Sequence, residues 1–293
     1  AERCSKCGWS RLAPHQQAQM IRKTTLRHPL GTEKIQPGLY QDWLCFPGVD
    51  GFLETIYGKT ERSGGQVELP EAMRNRLVTG ISAGFLVTTQ STQLLKKNDK
   101  PRSAFLVYDH HLVNSVVSIP SQAASLSAPA LSENAVYYYD SDHVLTRVDI
   151  HNFEITRQVR LPEDCGWSHA APLVKGDIVC LSGGNTGLAA AVQQDRILWT
   201  RMLPYSSPYT PLLINNHLCL VIGLRYLYLL DPASGKPLDD KPLRLADFIT
   251  APPISFENLI ILAVEDEKKN KLVAYSLKSG RLEWHFDGLS AQV

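Results

Sequence analysis

Ala128-Pro129-Ala130-Leu131, Ala171-Pro172-Leu173-Val174, Thr210-Pro211-Leu212-Leu213 and Ala251-Pro252-Pro253-Ile254 are four versions of one phrase. Each sets a proline turn before an apolar strand that ends near a polar turn. The prolines at 129, 172, 211 and 252 are 43, 39 and 41 residues apart. A strand-rich repeat of about forty residues is the mark of a propeller, in which each repeat is one four-stranded antiparallel sheet. The reading is an all-β propeller with about six visible blades. A seven- or eight-bladed ring is also compatible, because a further blade would begin at Gly288-Leu289-Ser290-Ala291-Gln292-Val293.

Working outward from the prolines, the strands fall into sets. Trp43-Leu44-Cys45-Phe46 and Phe52-Leu53 flank the hairpin signal Asp50-Gly51. Gly84–Thr89 with Ala104–Asp109, Ala135–Tyr139 with Val144–Asp149, and Asp177–Leu181 with Gly187–Val192 continue the series. His217–Val221 with Tyr226–Asp231, and Leu259–Ala263 with Lys271–Ser276, complete it. Continuous apolar runs suit inner strands packed on both faces, and the last strand of each set is more polar, as a solvent edge should be. Residues 37–293 are assigned to the propeller. Residues 1–36 have a different composition and form an N-terminal appendage and connector.

Thirty basic and twenty-nine acidic residues leave a net charge of +1, which offers no overall attraction to nucleic acid or an anionic membrane. No apolar run reaches the eighteen or so residues a spanning helix needs. Six cysteines are scattered, and Cys45, Cys180 and Cys219 sit in strand-like apolar contexts where a thiol acts as a small hydrophobe. That scatter indicates a reducing compartment, so a cytoplasmic location is expected, with an exported or periplasmic one as the alternative.

Cys4-Ser5-Lys6-Cys7-Gly8 is the sharpest chemical motif. Two thiolates two residues apart grip one Zn²⁺, and the glycine permits a tight knuckle that aims backbone N–H groups at sulfur. Cys4 and Cys7 are therefore candidate ligands of a structural zinc, with His15 and Cys45 the nearest candidates to complete the set. A metal-free remnant and a redox pair are the alternatives.

Leu229-Leu230-Asp231-Pro232-Ala233-Ser234-Gly235-Lys236 and Ala274-Tyr275-Ser276-Leu277-Lys278-Ser279-Gly280-Arg281-Leu282-Glu283-Trp284 share a plan: a strand, a Ser-Gly turn, then a strand carrying tryptophan in the second case. This resembles the repeats of the PQQ-like propeller superfamily. Gly235 and Gly280 would take the positive-φ position, and Trp284 would pack between blades. Trp199 is kept in the preceding repeat, whose turn is replaced by Gln193-Gln194-Asp195-Arg196; the first three repeats match loosely. The superfamily includes quinoprotein dehydrogenases and non-catalytic scaffolds such as the outer-membrane assembly lipoprotein of bacteria. The enzymes use an eight-bladed ring and usually a vicinal cysteine pair, which this sequence lacks, so the resemblance implies the non-catalytic branch and no PQQ.

Asp164-Cys165-Gly166-Trp167-Ser168-His169 precedes the Pro172 turn, which places it at a channel-side blade entry. Asp164, Trp167 and His169 are the candidate ligand contacts; packing within a loop is the plainer reading. Gly183-Gly184-Asn185-Thr186-Gly187 is a phosphate-cradle candidate without the lysine and helix of a P-loop, and a hairpin turn explains it better. Asp109-His110-His111 and Asp140-Ser141-Asp142-His143 have metal-ligand chemistry but turn positions. No catalytic residue is assigned. The expected function is a non-enzymatic scaffold for protein partners in a multiprotein assembly. The partner would bind where blade-entry loops converge, or at the loops around 96–101 and 264–270. A small-molecule sensor using the central channel is the second reading, and a propeller hydrolase or lyase the last.

Overall fold

The computed structural model describes the strands and tight turns between residues 38 and 120, Ser127, and residues 129–289 apart from 133, 141, 166–169, 246–247 and 267–268. The appendage 1–36 lies outside the described residues, as do Cys4, Cys7, His15, Trp167, His169, Asp109-His110-His111 and the loop 96–101.

Among the described residues the strands pair antiparallel into six sheets, each built mostly from consecutive strands. The first holds β1 (Gly38–Tyr40), β2 (Trp43–Pro47), β3 (Phe52–Tyr57) and β4 (Arg62–Glu68). The second holds β5 (Asn75–Ile81), β6 (Gly84–Gln90), β7 (Ser103–Tyr108) and β8 (Ser115–Pro120). The third holds β9 (Ala130–Ser132), β10 (Ala135–Tyr139), β11 (Val144–Asp149) and β12 (Ile155–Arg160). The fourth holds β13 (Leu173–Lys175), β14 (Ile178–Leu181), β15 (Leu188–Gln193) and β16 (Arg196–Met202). The fifth holds β17 (Leu212–Ile214), β18 (His217–Ile222), β19 (Tyr226–Leu230) and β20 (Leu243–Arg244). The sixth holds β21 (Phe248–Ile249), β22 (Ile254–Phe256), β23 (Leu259–Asp266), β24 (Lys269–Ser276) and β25 (Arg281–Leu289).

The expectation of six like, four-stranded blades is corrected. Five sheets have described side-chain packing, the second is described by its backbone pairing, and the sixth contains five strands. Its first position is split in two. β21 and β22 both pair with β23, on the edge opposite β24, and Thr250-Ala251-Pro252-Pro253 interrupts them. Two adjacent prolines lack the N–H groups a continuous ladder needs.

The repeat is more regular in the fold than in the prolines first chosen. Pro129, Pro172, Pro211 and Pro253 each stand one residue before a first strand, at spacings of 43, 39 and 42. Pro253 is the buried one and therefore replaces Pro252 in the series. In sequence Pro37 holds the same place before β1. A two-residue turn follows three residues later: Tyr40 pairs with Trp43, Ser132 with Ala135, Ile214 with His217 and Phe256 with Leu259. Gln41, Asn215, Asn216 and Glu257 take left-handed backbone there, which is why Asn is favoured at this turn. A second device recurs where the last strand meets the third. A bulge interrupts that pairing in the first, second, third, fourth and sixth sheets. It increases local twist and re-aims the next side chain.

Of the described residues, 164–173 and 178–289 form one compact unit, and 38–163 with 174–177 another. In the first unit, Leu218, Leu220, Ile222, Tyr228 and Leu230 pack with Cys180, Ala189, Ala191, Trp199 and Leu203. The other face of the same fifth sheet, through Cys219, Val221 and Leu227, packs with Ile260, Leu262, Val264, Val273 and Tyr275. A sheet apolar on both faces gives the continuous hydrophobic runs seen in the sequence. In the other unit, Val136, Tyr138, Val148 and Ile150 form a core with Phe153 against it.

Trp199 locks the fourth and fifth sheets together. Its Nε1–H donates to the Pro232 carbonyl at 2.9 Å, and Arg201 donates to the Gly235 carbonyl at 3.1 Å. Gly235 has φ +67°, and a Cβ there would lie 2.6 Å from the indole Cδ2. The turn beneath is held by the Gly235 N–H on the Asp231 carbonyl and the Asp231 N–H on the Lys236 carbonyl, both 2.8 Å. The Asp231 carboxylate accepts from the Ser234 hydroxyl and N–H at 2.7 Å, which holds its pKa below the ordinary aspartate value. Gly280 repeats the bond to Ser276 at 2.9 Å with φ +64°. Asp149 and Phe153 repeat it again at 2.9 Å, with Phe153 at φ +59° in the glycine position. The loose match of the third repeat is thus corrected: its turn is the same, and a half-buried aromatic stands where the glycine signal would have been.

Gly235→Ala is expected to cost about 3 kcal/mol, combining left-handed strain with overpacking, and Gly280→Ala only the strain, about 1–2 kcal/mol. Urea denaturation of the two variants checks this, and equal losses would remove the lock. Because the folded carboxyl of Asp231 titrates low, its stabilisation is present above about pH 4 and fades as pH falls through the lowered value. The melting-temperature gap between wild type and Asp231→Ala is therefore expected to be widest near neutral pH and to narrow in acid.

Candidate functional site

The turns joining second to third strands and the links joining one sheet to the next meet at one end of each repeat. Three leucines stitch them. The N–H of Leu161 donates to His143 O at 2.8 Å, that of Leu203 to Gly187 O at 2.8 Å, and that of Leu245 to Arg225 O at 2.9 Å. All three are buried and successive ones are 42 residues apart. A backbone bond to leucine leaves no polar signature in sequence, although Leu161-Pro162 and Leu203-Pro204 share a dipeptide.

In the unit of residues 164–173 and 178–289, further bonds fix this end. Ser207 N–H donates to Gly184 O at 2.9 Å, Gly223 N–H to Ser206 O at 2.8 Å, and Ile249 N–H to Leu224 O at 2.7 Å. The Tyr209 hydroxyl, buried and pushed up to about 12 by burial, donates to Ile249 O at 3.0 Å. On this frame Tyr205 stacks on Tyr226, with centroids 5.3 Å apart and planes 6° from parallel. Gly223, with φ +56°, lets the Tyr205 ring approach, since a Cβ there would sit 3.2 Å from it. Tyr205 is 49% exposed and Phe248, one residue before Ile249, is 38% exposed. Arg225 is exposed, and Arg244 lies opposite Tyr226 across the β19–β20 pair. The result is an aromatic and cationic surface on fixed backbone.

Asp164 belongs to the same end. It is exposed, and its carbonyl accepts from the Thr186 hydroxyl at 2.7 Å. Trp167 and His169 lie outside the described residues, so Asp164 is the one member of that trio given a position. Its neighbour Cys165 is buried, with its thiol pushed up to about 11 by burial and then by the Asp164 charge. That is the opposite of an activated nucleophile. Gly183–Gly187 is a turn between β14 and β15: Gly187 N–H donates to Gly183 O at 2.6 Å, and Thr186 Oγ1 to the same carbonyl at 3.2 Å. Asp140 is buried and accepts from Asp142 and Val144 N–H groups, each at 3.0 Å; burial raises its pKa against the pull of those bonds. His143 Nδ1 is hydrogen-bonded to the Tyr139 hydroxyl at 2.7 Å. These groups serve the β10–β11 turn.

Cys45, considered as a further zinc ligand, is buried within β2 with its thiol driven far above the ordinary range by burial. It is a core residue, as is Cys219, whose thiol burial pushes up to about 12. Among the described residues no group of three or more His, Cys, Asp or Glu could hold a metal ion, and no helix is long and apolar enough to cross a membrane. The knuckle Cys4 and Cys7 lie outside that description.

With this geometry in place, the fold can be set against known proteins. No family model matches the chain, and no curated protein does. Among solved structures, BamB from Moraxella catarrhalis matches with a TM-score of 0.58 at 12% identity, over 85% of this chain and 83% of that one. This chain has the β-propeller fold. At that identity the likeness concerns architecture.

Iodoacetamide at pH 8 is expected to leave Cys165 unmodified in the folded protein and to label it in urea, because a thiol titrating near 11 is only about one part in a thousand thiolate there. Peptide mass spectrometry reads the outcome, and equal labelling in both conditions would contradict the burial.

Proposed function

We propose that this chain is a non-enzymatic propeller scaffold that docks a protein partner within a multiprotein assembly, with its sheets serving as consecutive blades. The carrying observation is the exposed Tyr205 stacked on Tyr226 over hydrogen-bonded backbone, with Arg225 beside it. Tyrosine and arginine are the side chains in which binding energy concentrates at protein interfaces. A surface already fixed by backbone bonds loses little freedom on association, so more of the contact energy appears as affinity. The propeller likeness to BamB supports a platform reading, and we take it as favouring the exported alternative over a cytoplasmic location. The knuckle Cys4–Cys7 is proposed to hold a structural zinc that orients the appendage in the assembly. No PQQ enters this reading.

A channel-binding sensor is the second reading. It draws on Ser207, whose hydroxyl is fully buried and has no hydrogen-bond partner among the described residues, and whose N–H bonds the turn that carries Thr186, itself bonded to Asp164. That reading calls for a ligand-dependent rise in melting temperature that Ser207→Ala abolishes.

Tyr205→Ala with Arg225→Glu is expected to abolish stoichiometric co-purification of a protein from native extract while leaving the circular dichroism spectrum unchanged and lowering the melting temperature by only a few degrees, the loss of one stacked pair. Retention of the partner by this double variant would overturn the assignment of the surface. Zinc at one per chain in the same purified sample, lost in Cys4→Ser with Cys7→Ser, is the expected result for the knuckle.

A further inference from the structure

Among the described residues, the guanidinium of Arg147 is bonded to hydroxyls and to no carboxylate. Its Nε–H donates to the Tyr137 hydroxyl at 3.2 Å and its Nη1 to the Thr156 hydroxyl at 2.6 Å. Thr156 reaches it because the β11–β12 pairing slips by one residue there. Arg147 opposes Arg157 and Val148 opposes Ile155, so Thr156 is the extra residue of the bulge and its side chain is re-aimed. The Thr156 hydroxyl donates in turn to the Arg147 carbonyl at 3.3 Å. Two hydroxyls therefore hold the guanidinium in place, and the side-chain freedom an arginine gives up on gripping a ligand is already surrendered on folding.

The register sets a second cation beside the first. Directly opposed residues of an antiparallel sheet share a face, with Cβ atoms about 5 Å apart. Tyr137 opposes Arg147 across β10–β11, and Arg157 opposes Arg147 across β11–β12, so the three lie in one row. Like charges directly opposed destabilise a sheet unless something offsets them. Asp149, two residues along β11 on that face, has its carboxylate on the His151 N–H at 2.8 Å and is not hydrogen-bonded to Arg147. Arg157 has a further contact of its own, so it adds charge to the row rather than a second fork. The row opens to solvent: Thr156 and Arg157 are exposed on the outermost strand of the third sheet, and Tyr137 and Arg147 are half-buried behind them.

The donors select the ligand. With Nε and Nη1 committed, Arg147 still offers its Nη2 N–H groups. The Tyr137 hydroxyl accepts from Nε and keeps its own proton to donate. A phosphate-type group brings three acceptor oxygens and a charge of about −2 to this set, whereas a carboxylate brings two oxygens and one charge. We propose that Arg147, Arg157 and Tyr137 form a binding site for a phosphate-type oxyanion at the outer edge of the third sheet. Tyr205 and Tyr226 belong to the other compact unit, so this site stands apart from the partner surface and does not rest on it.

Isothermal titration calorimetry of the full chain with inorganic phosphate and with O-phosphoserine tests this, with acetate at matched ionic strength as the control. Saturable binding of a phosphate probe is expected, and none of acetate. Arg147→Gln is expected to weaken it at least about tenfold, the loss of a charge-assisted bond, and Tyr137→Phe about threefold. Arg157→Gln, at an exposed position, is expected to weaken it with an unchanged circular dichroism spectrum. Tighter binding of phosphoserine assigns the site to a phosphorylated side chain and tighter binding of phosphate to the free ion; either upholds it. No saturation by either probe, equal binding of acetate, or phosphate binding indifferent to both Arg147→Gln and Arg157→Gln would each overturn the proposal.

Discussion

The indole of Trp199 lying on Gly235 is the contact on which the best-described part of the molecule depends. A tryptophan can press on backbone only where no Cβ intervenes, and Gly235 meets that need while adopting φ +67°. The indole N–H also satisfies the Pro232 carbonyl in a buried setting, so the contact removes apolar area from water and leaves no polar group unpaid. Asp231 and Ser234 hold the turn in the shape the indole meets. One local turn is thereby coupled to the packing of two whole sheets.

That coupling bears on function through rigidity. The Leu161, Leu203 and Leu245 bonds tie each inter-sheet link to the turn beside it, and in the unit of residues 164–173 and 178–289 the bonds from Ser207, Gly223 and Ile249 complete the frame. Loops held in this way present side chains in fixed positions. Tyr205 lies in the link from the fourth to the fifth sheet and Tyr226 opens β19, yet they stack within 6° of parallel. Cys45, Cys165, Cys180 and Cys219 are buried, and Asp140 and His143 are hydrogen-bonded at the β10–β11 turn.

The propeller reading was legible because proline and short-turn chemistry are local. Pro129, Pro172 and Pro211 announce their strands without any tertiary contact, and Asn215-Asn216 announces a tight turn. Pro252 was chosen where Pro253 carries the repeat, since two adjacent prolines look alike until the register of β22 on β23 is known. Phe153 concealed a third copy of the Asp231-type turn: packing against Val136 and Val148 compensates a backbone strain that a glycine would have avoided, and propensity sees only the strain. The candidate surface was less legible. Tyr205 and Tyr226 are joined by a stack rather than by a spacing, and the leucine stitches are made by backbone, which carries no residue code. The bond from the Thr186 hydroxyl to the Asp164 carbonyl joins two segments 22 residues apart, and no spacing in the sequence announces it.

Hydrogen exchange with mass spectrometry, comparing the isolated chain with its natively purified assembly, tests the scaffold account most directly. The account gives slow exchange at Leu203, Ser207, Gly223, Leu245 and Ile249 in the isolated chain, and further protection across residues 203–208, 223–226 and 244–249 in the assembly. Fast exchange at those amides in the isolated chain, or assembly-dependent protection confined to other segments, would contradict it.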